Sequence, residues 1–209
     1  MSKWVVAVVL TVALSGCTRV VDNPPAKPEP AVAPITALQV GDLLSHDVQG
    51  GEGNLFVSVQ PDRCSGVARE VDPPFIAAHH PIATDGGHWE TEDVFVEEMV
   101  AVYRSDFDSD HALAMARQTV ESCRDTPMTV TTMQGRTYIF TLLPPRDSGP
   151  EGSALWSFRA SDWRCDNAFV AAHNAAIEIT TCGPIGGFDV ASAARDALKR
   201  IETLANTAV

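Results

Sequence analysis

The chain has no apolar run of the roughly 20 residues that a membrane-spanning helix needs. It also lacks the motifs of common enzymes: no G-x-S-x-G nucleophile elbow, no H-E-x-x-H helix and no glycine-rich phosphate loop. Serine, histidine and aspartate occur, but no spacing singles out a triad. Positive charge is scarce. Lys and Arg number 15 against 27 Asp and Glu, for a formal net charge of −12, which argues against nucleic acid and against a polybasic membrane contact. Paired C-x2–4-C spacing is absent too, so a cysteine zinc site is not expected. These absences lead us to expect no cofactor, no metal site and no catalytic residue.

What is present begins at the N-terminus. Lys3 precedes an apolar stretch of about ten residues, and Leu14-Ser15-Gly16-Cys17 ends it. A stretch this short reads as a signal h-region, and its ending resembles a bacterial lipobox. Cleavage is expected after Gly16, with lipid on Cys17 and the protein held at the outer, extracytoplasmic face of the cell membrane. Residues 1–16 are thus a lipoprotein signal peptide, 17–36 a linker, and 37–209 one domain. The linker carries Pro24, Pro25, Pro28, Pro30 and Pro34. At ~3.1 Å per residue such an extended segment reaches up to about 60 Å.

Four cysteines remain, an even number in an oxidising compartment, so two disulfides with three connectivities are possible. Periodicity narrows the choice. Residues 37–47 read as a short helix with Leu38, Leu43 and Leu44 on one side. Residues 54–60 read as a strand, and Pro61 suits a first helical position ahead of Cys64, Val67 and Ala68. Residues 71–92, with Pro73-Pro74, Pro81 and Gly86-Gly87, read as loop. The longest strand candidate is 93–104, with Glu98 among the valines of one face and Glu97 on the other.

Asp108 or Ser109 caps a helix whose stripe Ala112, Met115, Ala116, Thr119, Val120 and Cys123 follows the helical spacing. Residues 129–134 and 136–143 form a hairpin about Gln134-Gly135, and 154–162 a further strand. Residues 165–172 and 175–182 then flank His173-Asn174. A two-residue turn there pairs Cys165 with Cys182 at a non-hydrogen-bonded position, where Cα atoms lie about 4.5 Å apart, within disulfide reach. Cys165–Cys182 is therefore expected, leaving Cys64–Cys123. The same register puts Ala168, Val170, Ile177 and Ile179 on one face, and Asn167, Phe169, Glu178 and Thr180 on the other. Asp189 caps a last helix with a continuous apolar stripe. The expected class is α+β: an antiparallel sheet of about six strands with helices packed on one face.

This layout resembles the PknH-like extracellular domain family, named for the sensor domain of a mycobacterial receptor Ser/Thr kinase and found also in mycobacterial lipoproteins. The matching pieces are Pro61-x-x-Cys64, the helix ending at Cys123, Cys165 in a strand, Asn174, the run 175–180, Cys182-Gly183 and the Ala-rich last helix. The resemblance implies an antiparallel sheet with helices, two intramolecular disulfides, a polar cleft for an unidentified ligand, and no catalytic residues. No kinase motif occurs in this chain, so a sensing role needs a partner.

Glu97, Arg159, Glu178 and Thr180 are the candidate ligand-binding residues. A mid-strand carboxylate needs a partner when buried, and Arg159 or Arg104 is the expected one. His79, His80 and His88, near Asp85 and Glu90, could ligate a metal, but their loop offers no fixed face and a solvated loop is preferred. Trp89, Trp156 and Trp163 read as core or disulfide packing. The expected function is a non-enzymatic sensor or ligand-binding domain for a small polar ligand or an envelope protein. The alternative is an envelope carrier of a lipid or other hydrophobic molecule.

Overall fold

The computed structural model describes residues 33–48, 53–145 and 149–207. Cys17, the lipobox and most of the linker lie outside the described residues. Eight strands form one sheet: β1 (Phe56–Gln60), β2 (Ala83–Glu90), β3 (Phe95–Val102), β4 (Met128–Thr132), β5 (Thr137–Leu142), β6 (Ser153–Arg159), β7 (Arg164–Ala172) and β8 (Ala175–Gly183). Their order is β1-β4-β5-β6-β7-β8-β3-β2, and each strand runs antiparallel to its neighbour. The sheet curls into a half-barrel. Phe56 of β1 and Phe95 of β3, six places apart in that order, consequently line one cavity.

The expected six strands are eight, chiefly because β2 lies within the span read as loop. β2 is an edge strand paired only with β3, half of its residues are exposed, and Gly86-Gly87 sits at its centre. It therefore carries no apolar alternation. The glycine has a use: a Cβ at Gly86 would stand 3.2 Å from the Met99 Cε on the neighbouring strand.

Helices cover both faces of the sheet, not one. On the inner face, Phe56, Phe140, Phe158, Phe169 and Tyr103 pack against α1 (Ser65–Ala68), α2 (Pro74–Ala77) and α3 (Ser109–Ser122) through Val67, Ile76, Leu113, Ala116 and Val120. On the outer face, Val100, Val102, Ala168, Val170, Ile177 and Ile179 meet α4 (Val190–Thr207) through Val190, Ala194, Ala197 and Ile201. Residues alternate across a strand, so β7 and β8 feed both cores at once.

Several local readings are corrected. The first helix is a 3-10 turn over Ala37–Leu43, and Leu38 is 98% exposed, not aligned with buried Leu43. Pro61 is extended ahead of a 3-10 turn at Asp62–Cys64 and does not open the helix. On α3, Leu113 is buried while Met115 is largely exposed. The final hairpin has the expected register: Cys165 pairs with Cys182 and Ala172 with Ala175. Both disulfides form as expected, Cys64–Cys123 and Cys165–Cys182, the second with Cα atoms 4.1 Å apart.

Polar clamps fix the frame. Asn174, from the hairpin turn, accepts the Ile35 N–H at 2.9 Å and donates to the Ile35 and Tyr103 carbonyls. Glu98 faces the outer core, where Arg200 Nη2 donates to both its oxygens at 3.1 and 3.2 Å. The Ser45 N–H donates to Glu98 Oε2, and Arg200 Nε to the Leu43 carbonyl. The partner of Glu98 is thus a residue of α4, not Arg159 or Arg104.

Candidate functional site

The inner face carries polar groups where the apolar pattern would have none. Register brings Asn167, Thr180 and Glu97 side by side across β7, β8 and β3, next to Trp156 of β6. One row along, Glu178 stands between Phe169 and Met99. Glu97 and Glu178 are therefore diagonal neighbours on adjacent strands, within reach of long side chains. All of these polar residues are less than a tenth exposed.

A third carboxyl comes from the segment after α1. The Glu70 N–H donates to the Phe56 carbonyl at 3.0 Å, and Glu70 Oε2 accepts the Phe56 N–H at 2.7 Å. Glu70 thus caps the start of β1, its backbone N–H and Oε2 both committed to Phe56. Glu70 Oε1, Glu178 Oε2 and Asn167 Oδ1 are buried without a hydrogen-bond partner.

Burial penalises the charged form, and like charges add to it. Desolvation pushes the Glu70 carboxyl up to about 8, against the lowering effect of the Phe56 N–H. Desolvation, then Glu70 and Glu98, push Glu97 up to about 9. Glu178 is raised by burial first and by Glu70 second. Tyr103 is raised by burial and by Glu178, and its hydroxyl donates to the Ile76 carbonyl at 3.0 Å. The charges that reach Glu97 and Glu178 are all of their own sign.

Of these residues, Glu70 lines a cavity of about 180 Å³ between the two ends of the curled sheet. Phe56, Phe95, Tyr138 and Trp163 form its walls, with Glu70, Glu90 and Arg136 among the polar residues that line it. The Arg136 guanidinium lies 4.9 Å from the Tyr138 ring centroid and pairs with Asp162 at 3.4 Å.

Of the four residues expected to bind ligand, the structure brings together Glu97, Glu178 and Thr180. Arg159 is elsewhere. It pairs across strands with Thr141 and Arg164, on the face opposite Phe158 and the disulfide, and is exposed. Arg104 is exposed as well. The histidines are dispersed: His79 packs edge-on against Phe107 and Tyr103, while His88 stacks on Phe95 in β2. No group of three or more His, Cys, Asp or Glu among the described residues could hold a metal ion. Trp156 is core, its Nε1 donating to the Val67 carbonyl at 2.8 Å, and Trp89 is 40% exposed. Sequence reasoning missed Glu70 and the aromatic walls. Asn167 was on the correct face but not singled out.

The model of the PknH-like extracellular domain family matches residues 56–206. The crystal structure of the extracellular domain of PknH from Mycobacterium tuberculosis is similar at a TM-score of 0.61 and 18% identity, over 83% of this chain and 98% of that one. At that identity the likeness is one of fold. A comparison with curated proteins finds no match. Because the family match spans most of the sequence, the chain belongs to the PknH-like extracellular domain family.

Proposed function

We propose that this is a non-enzymatic sensor-type domain that binds a small polar ligand inside the half-barrel, tethered to the outer face of the cell membrane through lipid on Cys17. The observation that carries the reading is the set of buried carboxyls Glu70, Glu97 and Glu178, of which Glu70 Oε1 and Glu178 Oε2 have no hydrogen-bond partner in the fold. A fold does not need this arrangement. Each unsatisfied group costs on the order of 1–3 kcal/mol, and perturbed carboxyls clustered beside a cavity are a mark of functional sites. Apolar side chains and helices already fill the rest of both faces, which favours a polar ligand over the carrier alternative.

Native mass spectrometry of the protein purified from its own envelope tests the reading. A small polar adduct is expected on the wild type and should be lost from Glu178→Gln. A bound lipid beyond the anchor would instead support the carrier, and an adduct retained on Glu178→Gln would displace the proposed site.

The tether rests on Leu14-Ser15-Gly16-Cys17. Among the described residues no helix is long and apolar enough to cross a membrane. Cys17→Ala is expected to abolish labelling by an alkyne fatty acid and to release the protein from membranes. A variant still labelled would refute the anchor.

A further inference from the structure

We propose that the ligand presents an organic cation, an alkylammonium group on a short chain, to the cavity walled by Phe56, Phe95, Tyr138 and Trp163, where Glu70 receives it. This rests on the binding reading above and names its chemical class. Four observations converge on it.

Glu70 lines the cavity and is buried; Oε2 is pinned by the Phe56 N–H while Oε1 has no partner. A cavity-lining residue thus keeps one oxygen for which the fold supplies no donor. Behind it stand Glu97 and Glu178, and Glu90 lines the same cavity. Burial holds Glu70, Glu97 and Glu178 in the neutral form; a cation can displace a proton and pair with the carboxylate left behind, whereas an anion has no such partner there. The walls are aromatic, and aromatic faces attract cations by about 0.5–2 kcal/mol depending on desolvation. Tyr138 already does so for the Arg136 guanidinium at 4.9 Å. Finally, water occupies about 30 Å³ in the liquid, so a cavity of about 180 Å³ suits a group of roughly six heavy atoms.

The remaining charges around Glu70 do not neutralise it. Arg69 is turned to the Val71 carbonyl and to Asp72, and Arg136 is paired with Asp162 at the exposed rim. Because Glu70 holds a proton to about pH 8, an ammonium group binds by forming the ion pair and expelling that proton to solvent. Affinity should then rise towards tenfold per pH unit between pH 6 and 8 and level off above.

The test is an NMR titration of the Trp indole signals of the full-length protein in detergent micelles, with n-butylammonium, 1-butanol and butyrate as probes at pH 6, 7 and 8. Only the ammonium should shift Trp163, with the pH dependence given. Glu70→Gln should weaken it at least tenfold and flatten the pH profile. Tyr138→Leu, which leaves the carboxyl in place, should weaken it severalfold, and Arg136→Ser, which uncovers the ring, should tighten it. The cation proposal is overturned if butanol or butyrate shifts Trp163 as strongly, if the ammonium does not shift it, or if Glu70→Gln binds unchanged. A polar adduct that persists on the envelope-purified protein in those cases leaves the binding reading standing without the cation.

Discussion

Glu70→Gln is expected to stabilise the fold by about 3 kcal/mol at pH 7 and to reduce its sensitivity to alkali. In the unfolded chain the Glu70 carboxyl ionises near its ordinary value of 4.5, and in the fold it holds its proton to about 8. Between those values the folded state binds more protons than the unfolded one, so stability falls as pH rises, by up to about 1.4 kcal/mol per pH unit for each such group. The contribution is complete below pH 4.5 and gone above pH 8. Glu97, raised to about 9, extends the decline in the same direction. Glutamine keeps an acceptor for the Phe56 N–H and has no charge to desolvate. Urea unfolding at pH 5, 7 and 8.5 measures the effect: wild type should weaken steadily, and the variant less steeply because Glu97 and Glu178 remain. Parallel curves would mean that Glu70 ionises freely in the fold. The same substitution should gain stability and lose cation binding, the trade expected where a strained group serves a ligand.

The parts of this fold that were legible from sequence are those fixed by short-range geometry. Cys165, Cys182 and the two-residue turn between their strands leave one register, and that register places Asn167, Glu178 and Thr180 on a common face. Glu97 joins them through the pairing of β3 with β8. That pairing is long-range, and parity alone cannot select it. Arg159 failed for a related reason. It is on a neighbouring strand, but side chains alternate between faces, and its partner Arg164 is one step out of phase with Cys165. The two-sided core was written in β7, where Ala168 and Val170 alternate with Phe169 and Ala171, all apolar. A strand apolar on both faces is buried on both. Glu70 had no local signal. It follows Arg69 in a short segment between Val67-Ala68 and Pro73-Pro74 where no period assigns it a face, and only the curl of the sheet and the edge of β1 bring it to the inner face.

Removing Cys64–Cys123 by the double change to alanine is expected to cost about 4 kcal/mol, against about 3 kcal/mol for Cys165–Cys182, in the chain-entropy account. The first bridge spans 59 residues of sequence and the second 17, and a longer loop in the unfolded chain loses more freedom when closed. The native contacts point the same way. Cys165 and Cys182 sit within a hairpin already joined by a nine-pair ladder, whereas Cys64–Cys123 ties the turn before α1 to the end of α3 beneath the inner core. All four cysteines are buried, so the void left by removing sulfur is common to both variants and does not alter their order. The consequence reaches the site, because α1 runs directly into Arg69 and Glu70. Its loosening should free Glu70 from the Phe56 N–H, let water reach the carboxyl and lower its proton affinity. Urea unfolding of the two double variants measures the stability order, and hydrogen exchange of the Phe56 amide measures the link to the site. If the Cys165/Cys182 variant proves the less stable, the unfolded chain does not set the order; if the Phe56 amide stays protected, α1 does not position Glu70.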